Sequence, residues 1–137
     1  LSQRALREIY LKGFEICVKL SAPRNIMTSY NKINGVYCTN NYDLLVKVLR
    51  NEWGFEGLVM SDWDSMKADP ENPVIPRSGD VQKAHAAQCD LVSPGRPDQR
   101  EALKKGLETG AVRREDLKRS AVRILKMIRS NTVLESR

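Results

Sequence analysis

The chain has 137 residues, 23 Lys and Arg against 17 Asp and Glu, and a formal net charge of +6. Hydrophobic residues make up 41% of it, which is ordinary for a globular domain and excludes a disordered or fibrous chain. No apolar run approaches the ~18 residues that a membrane helix needs, so no membrane partner is expected. This length favours one domain.

The three cysteines, Cys17, Cys38 and Cys89, are an odd number without a CxxC or His-paired spacing. They are expected to be buried, small apolar residues in a reducing compartment, which favours the cytoplasm. His85 is the single histidine and cannot form a metal cluster alone, so no metal or cofactor is predicted. The absence of Met at position 1 suggests a processed chain or a piece of a larger one, and a removed leader would allow secretion.

The first quarter of the chain predicts a helix followed by a strand. Apolar residues recur at three- and four-residue steps in a segment that Ser2 can cap and Pro23 ends. Residues 25–30 are rich in strand formers and are followed by the turn signal Asn34-Gly35. A helix and then a strand are therefore expected here.

The middle of the chain repeats this order. Asn40 or Asn41 can cap a second helix that ends near Trp53. Residues 58–60, Leu-Val-Met, form a continuous apolar run that suits a strand buried on both faces. Residues 64–80 contain several prolines among polar residues and are expected to form an irregular loop.

The last part of the chain predicts a short helix around residues 84–87, a third strand at 89–92, and helices at 98–109 and 114–130. Alternating helices and strands indicate an α/β fold with a parallel sheet. Three parallel strands are too few for a closed barrel or a wide sheet. We therefore expect a partial (β/α) barrel with about three parallel strands and five to six helices, with residues 1–137 as a single fragment.

Asp62 is the sharpest candidate for chemistry. In α/β folds reactive residues collect at the carboxyl ends of strands, and Asp62 comes directly after the predicted strand at 58–60. Trp63 could offer a flat apolar face to a sugar ring, and a carboxylate suits attack on an anomeric carbon. The alternative is that Asp62 caps the following turn while Trp63 packs on the rim of the sheet.

Four segments resemble the β-glucosidases of glycoside hydrolase family 3. They are IMTSYNKINGV at 26–36, LRNEWGFEGLVMSDW at 49–63, CDLVSPG at 89–95 and PDQR at 97–100. The last two look like the final barrel strand of the family and the helix that follows it. The resemblance covers nearly the whole chain and weakens through residues 64–80 and beyond about residue 130.

The resemblance implies a retaining, two-step hydrolysis of a β-glucoside-type carbohydrate on a (β/α)₈-like barrel. Asp62 would be the nucleophile that forms a covalent glycosyl-enzyme, and Trp63 would line the sugar cleft. Met27 and Tyr30 would lie in the pocket, where the Tyr30 hydroxyl can bond an oxygen of the nucleophile or the sugar. Without the resemblance, Met27 would be core filler and Tyr30 a satisfied buried tyrosine.

A retaining glycosidase also needs a second carboxyl group ~5–5.5 Å from the first. The family usually supplies it from a different domain, and Asp64 and Glu56 are interpreted as solvated surface charges. The upstream strands with further sugar-binding residues are missing as well. The chain is therefore expected to be inactive alone, and stable only as a homo-oligomer or with the rest of its enzyme.

Two alternatives remain for the function: a non-catalytic scaffold piece, and a nucleic-acid-binding module. The whole positive excess lies in residues 96–137, but these contain no aromatic side chain to stack on bases and no known motif, so a nucleic-acid partner is not expected. The last helix is instead expected to be an outer barrel helix. Its predicted inward face is Leu117, Ala121, Ile124, Leu125 and Ile128. Its predicted solvated face is Lys118, Arg119, Arg123, Lys126 and Arg129.

Overall fold

A computed structural model describes residues 1–66 and 79–130. The chain begins with α1 (Gln3–Ala5), the π-helical segment π1 (Leu6–Tyr10) and α2 (Lys12–Ser21). Next come β1 (Asn25–Met27), β2 (Lys32–Ile33), β3 (Val36–Tyr37), a 3₁₀ turn (Cys38–Asn40), the π-helix π2 (Asp43–Glu52) and β4 (Leu58–Met60). The last elements are α3 (Val81–Ala86), α4 (Pro97–Thr109) and α5 (Arg114–Arg129).

Helical structure occurs in all five places where the sequence predicts it, and short polar side chains cap the first two of these helical segments. Ser2 Oγ accepts from the Ala5 backbone N–H at 3.1 Å, and Asn41 Oδ1 accepts from the Leu44 N–H at 3.0 Å. Both bonds satisfy N–H groups that the first helical turn leaves without a partner. Most of the predicted loop at 64–80, namely residues 67–78, lies outside the described residues.

The central sheet pairs β1 with β4 in parallel, with Asn25 opposite Leu58 and Met27 opposite Met60. The predicted third strand at 89–92 is wrong as a regular strand, because only Leu91 forms a parallel bridge, to Met60. Left-handed Gln88 (φ 64°) precedes this segment, and Pro94, which has no N–H, follows it. Few residues between Gln88 and Pro94 are therefore available for regular strand pairing. The central sheet, as described, has two strands and one bridge.

A small hairpin follows β1 and was predicted only as a turn. The sequence predicts a strand over residues 25–30, but β1 ends at Met27, so residues 28–30 are not in a strand. β2 and β3 pair in antiparallel fashion around Asn34 and Gly35, which both have positive φ (49° and 85°). A two-residue hairpin loop of this kind favours Asn-Gly because both positions require left-handed backbone.

The main core lies around β4. Leu58 and Val59 are fully buried, as expected for a strand covered on both faces. The buried cluster that surrounds Val59 contains Val18, Leu45, Leu49, Phe55, Ala84, Ala87 and Cys89. Packing from α2, π2 and α3 therefore fixes the strand that leads to Asp62.

A buried ionic cluster, the Asp90 network, joins four parts of the fold. Asp90 Oδ2 accepts from Arg50 Nη2 at 2.8 Å and from the Val59 N–H at 3.1 Å. Asp90 Oδ1 accepts from Ser120 Oγ at 3.1 Å and from Arg123 Nη1 at 3.0 Å. Burial, followed by the nearby Arg123 charge, lowers the pKa of Arg50 to about 10, and Asp90 opposes this shift. Asp90 thus ties its own segment, between α3 and α4, to π2, β4 and α5.

The Asp90 network reverses part of the orientation predicted for α5. Arg123, expected in water, turns inward to Asp90. Arg119, also expected in water, donates to the His85 carbonyl at 3.2 Å and to Asp116 Oδ1 at 2.7 Å. Leu125 and Ile128, expected to face inward, are exposed. The buried carboxylate of Asp90 needs cationic partners, which accounts for the inward direction of Arg123.

His85 is a buried, neutral histidine that makes stability depend on pH. Burial lowers its pKa, helped by Arg119 and opposed by Asp90 and Asp116. Because the folded chain binds this proton less readily than the unfolded chain, the stabilising effect is complete above the ordinary histidine pKa of 6.5. It is lost as pH falls through the lowered folded-state value.

As pH falls below about 6.5, the free energy of unfolding is therefore expected to fall, by no more than about 1.4 kcal/mol per pH unit for one proton. Urea unfolding followed by circular dichroism measures this slope. His85→Gln is the control and should flatten it. An unchanged slope in that variant would assign the pH dependence to other groups.

Many large apolar side chains on the amino-terminal helices have no cover among the described residues. Ile9, Phe14 and Leu20 are exposed, and so is Cys17, which the sequence predicted to be buried. Cys38 and Cys89 are buried as expected, and all three cysteines are free thiols. No described helix is long and apolar enough to cross a membrane.

Candidate functional site

Asp62 lies where the sequence predicted it, just past the end of β4. Ser61 anchors the backbone before it, because its Oγ accepts from the Ser93 N–H at 2.9 Å and donates to the Asp62 carbonyl at 3.0 Å. The Ser61 N–H also donates to the Leu91 carbonyl at 2.8 Å. Asp62 is thus held at the carboxyl edge of the sheet and is half-buried.

The carboxylate of Asp62 is engaged through one oxygen. Oδ1 accepts from the Trp63 N–H at 2.6 Å, and the Ser65 N–H donates to the Asp62 carbonyl at 3.3 Å. Among the described residues, Oδ2 has no hydrogen-bond partner. A residue that caps its own turn through one oxygen can still present the other to a ligand, so the capping and catalytic interpretations are compatible.

Tyr30 and Trp63 are joined by a hydrogen bond, whereas Met27 lies at the end of β1, three residues before Tyr30. The Tyr30 hydroxyl donates to the Trp63 carbonyl at 2.6 Å, which links the segment after β1 to the segment after β4. The Trp63 side chain is 61% exposed and is available as a flat apolar surface. Met27 is the last residue of β1, opposite Met60, and is also exposed.

Asp64 and Arg96 form a site feature that the sequence analysis missed. Arg96 Nε and Nη2 donate to the two oxygens of Asp64 at 2.7 and 2.6 Å. This hydrogen bond is the main reason that the pKa of Arg96 is raised. Asp64 is therefore not the solvated surface charge that was expected, whereas Glu56 is exposed as predicted.

An apolar groove of about 460 Å³ opens beside the free edge of β1. Leu6, Phe14, Ile26, Met27 and Trp53 contribute to its lining. Of the described residues around this groove, none is Asp62, Trp63 or Tyr30. Among the predicted site residues, only Met27 thus reaches it.

Comparison with known proteins identifies the family. The family model described as the glycosyl hydrolase family 3 N terminal domain matches residues 1–127. A β-glucosidase from Rhizobium radiobacter is 41% identical over 129 residues, 93% of this chain. An exo-α-(1→6)-L-arabinopyranosidase from Bifidobacterium longum is 45% identical over 105 residues, 72% of this chain.

Solved structures agree with these relatives. β-Glucosidase 3B from Thermotoga neapolitana, solved in complex with glucose, is 43% identical, with a TM-score of 0.79 over 93% of this chain. A β-glucosidase from Kluyveromyces marxianus, also solved with glucose, is 34% identical with a TM-score of 0.78 over 94% of the chain.

The chain belongs to glycoside hydrolase family 3. It spans 14% of the length of each curated relative named here, and 17% and 14% of the two solved chains.

Proposed function

We propose that this chain supplies the nucleophile of a retaining β-glycosidase that hydrolyses terminal β-linked sugars. The observation that carries the proposal is the position of Asp62 at the carboxyl edge of a buried parallel strand, with Oδ2 directed to no described partner and an exposed aromatic ring next in sequence. The barrel and the acid/base domain would be completed by parts of the enzyme outside this chain.

In the first step, Asp62 Oδ2 attacks C1 of the sugar while the bond from C1 to the leaving oxygen breaks. The developing positive charge on the sugar ring is stabilised by the carboxylate, and the leaving oxygen takes a proton from the acid of the other domain. In the second step, the same acid/base removes a proton from water, which attacks C1 and releases Asp62. Trp63 would stack on the ring.

Tyr30 and Met27 would shape the site and take no part in bond making or breaking. Tyr30 would hold the Trp63 backbone through the 2.6 Å bond from its hydroxyl, and its ring would shape the pocket. Met27 would supply an adaptable apolar contact at the end of the neighbouring strand.

The uncovered apolar residues on α2 and α5 support the proposal that other parts of the enzyme, or a second copy, pack on this chain. Leu20, Leu125 and Ile128 are large side chains that a monomeric domain rarely exposes in number. Light scattering on the isolated chain tests this, since a well-folded monomer would contradict it.

The experiment for the proposed function uses the complete polypeptide encoded by the reading frame that contains these residues. A 2-deoxy-2-fluoro-glucoside with a good leaving group should leave one sugar covalently bound, and peptide mass spectrometry should locate it on Asp62. The isolated 137 residues should show neither turnover nor labelling, because they lack the acid and most sugar contacts. Labelling elsewhere, or none, would favour the scaffold alternative.

A further inference from the structure

We propose that the ion pair between Asp64 and Arg96 is a positioning device for the nucleophile. It rests on the proposed function, and it assigns Asp64 and Arg96 no contact with the sugar. The pair fixes the 61–65 turn, which carries Asp62, against the segment that follows Leu91, so that the carboxylate of Asp62 keeps a constant direction toward C1.

The geometry of the pair is that of a rigid clamp. Arg96 Nε donates to Asp64 Oδ1 and Arg96 Nη2 donates to Asp64 Oδ2, a bidentate arrangement that restricts rotation as well as distance. The side chains are 14% and 34% exposed, so the pair is partly shielded from water at the edge of the sheet. Arg96 is also the first residue before α4, so its backbone belongs to an ordered helix start.

Two further hydrogen bonds place this clamp around Asp62. The Asp64 N–H donates to the Ser93 carbonyl at 3.0 Å, and the Ser93 N–H donates to Ser61 Oγ at 2.9 Å. One residue, Ser93, thus binds the chain on both sides of Asp62. The ion pair adds a side-chain tether to the same two segments.

The backbone of Asp64 indicates that its side chain is needed. Its φ of 57° lies in the left-handed region, which Gly adopts freely and Asp adopts more readily than most other residues. Gly would adopt this backbone conformation with less cost than Asp does. The bidentate bond to Arg96 is an interaction that Gly could not make, and it fixes the turn.

A small displacement of the nucleophile has a large effect on the reaction rate, because a misplacement of about 1 Å can slow a reaction about 100-fold. The opposite side of the turn is held by the Tyr30 hydroxyl bond to the Trp63 carbonyl and by the Gly79 N–H, which donates to the Ser65 carbonyl at 3.2 Å. Loss of the clamp would remove the side-chain tether and leave the bonds to Ser93, which would widen the range of positions that Asp62 samples.

The test measures covalent trapping of the complete enzyme by the 2-deoxy-2-fluoro-glucoside. Asp64→Asn and Arg96→Gln are each expected to lower the trapping rate constant about 10- to 100-fold, with the dissociation constant of the inactivator changed by less than about threefold. The double variant should be no slower than the slower single variant, because each single substitution already breaks the same ion pair. Arg96→Lys, which keeps the charge but not the fork, should fall in between.

The matched control is the bidentate pair of Arg7 and Glu52, at 3.0 and 2.6 Å, which joins π1 to the end of π2. Its side chains are 36% and 42% exposed. Glu52→Gln should leave the trapping rate constant within about twofold of the unaltered enzyme. Melting temperatures of all variants distinguish mispositioning of the Asp62 carboxylate from loss of folding.

The inference is overturned if Asp64→Asn and Arg96→Lys trap as fast as the unaltered enzyme, or if Glu52→Gln slows trapping equally. Asp64→Gly relaxes the backbone but removes the clamp, so normal trapping in that variant would also overturn it. Failure of the unaltered enzyme to be labelled on Asp62 is a different result, which overturns the proposed function itself.

Discussion

Replacement of Asp62 by Gly in the complete enzyme is expected to lower kcat for an aryl β-glucoside by at least about 10⁴-fold. The reason is that the variant has no group to form the glycosyl-enzyme and no negative charge beside the developing cation at C1. Asp62→Asn keeps the shape and should lose a similar factor, which separates charge from size. Steady-state kinetics on the purified variants measures both effects.

A chemical rescue assigns the loss to the nucleophile and not to misfolding. Asp62→Gly leaves a space where azide can attack C1 from the same face as the missing carboxylate. The variant should therefore release a glycosyl azide of inverted anomeric configuration, identifiable by NMR, at a rate that depends on azide concentration. No product should form from azide with the unaltered enzyme by this route, because Asp62 occupies the position.

The control for Asp62 is another aspartate on the same chain. Asp43 lies on π2, where its ion pair with Lys47 at 2.7 Å is exposed to water. Asp43→Gly should leave kcat and KM close to those of the unaltered enzyme, since such pairs contribute little. Retention of substantial activity by Asp62→Gly without azide would contradict the nucleophile assignment.

The position of Asp62 could be predicted because it depends on local sequence. A run of three large apolar residues followed by a polar one defines both a buried strand and its end, and neighbours such as Val59 confirm the burial. Helix starts at Ser2 and Asn41 were predictable for the same reason. Each cap is a bond between residues three positions apart.

Features that depend on distant pairs could not be predicted. Asp64 and Arg96 are 32 positions apart, and no periodic pattern connects them. α5 presents one apolar stripe and one basic stripe, and periodicity alone favours burial of the apolar one. Asp90, 33 positions before Arg123, draws that cation inward.

Replacement of Asp90 by Ala is expected to lower the free energy of unfolding by about 3–5 kcal/mol, the range for breaking a buried ion pair by removing one partner. Arg50, whose side chain is 6% exposed, would be left charged in the core, and the Val59 N–H would lose its bond to Oδ2. Because a small domain has about 5–15 kcal/mol in total, much of the variant should be unfolded in mild urea.

Urea unfolding of the complete enzyme measures this loss. The control, Glu101→Ala, removes the exposed pair with Lys104 on α4 and should leave the free energy of unfolding nearly unchanged. A change of less than about 1 kcal/mol for Asp90→Ala would contradict the importance of the network.

A double variant separates the two causes of the expected loss. Arg50→Met with Asp90→Leu removes the buried cation together with its partner, and Arg123, which is 19% exposed, can turn to water. If the uncompensated charge dominates, the double variant should be clearly more stable than Asp90→Ala, since apolar replacement of a buried pair is often neutral. If the backbone bond to Val59 dominates, both variants should be equally unstable. We expect the first result, because the unpaired N–H accounts for only about 1–3 kcal/mol.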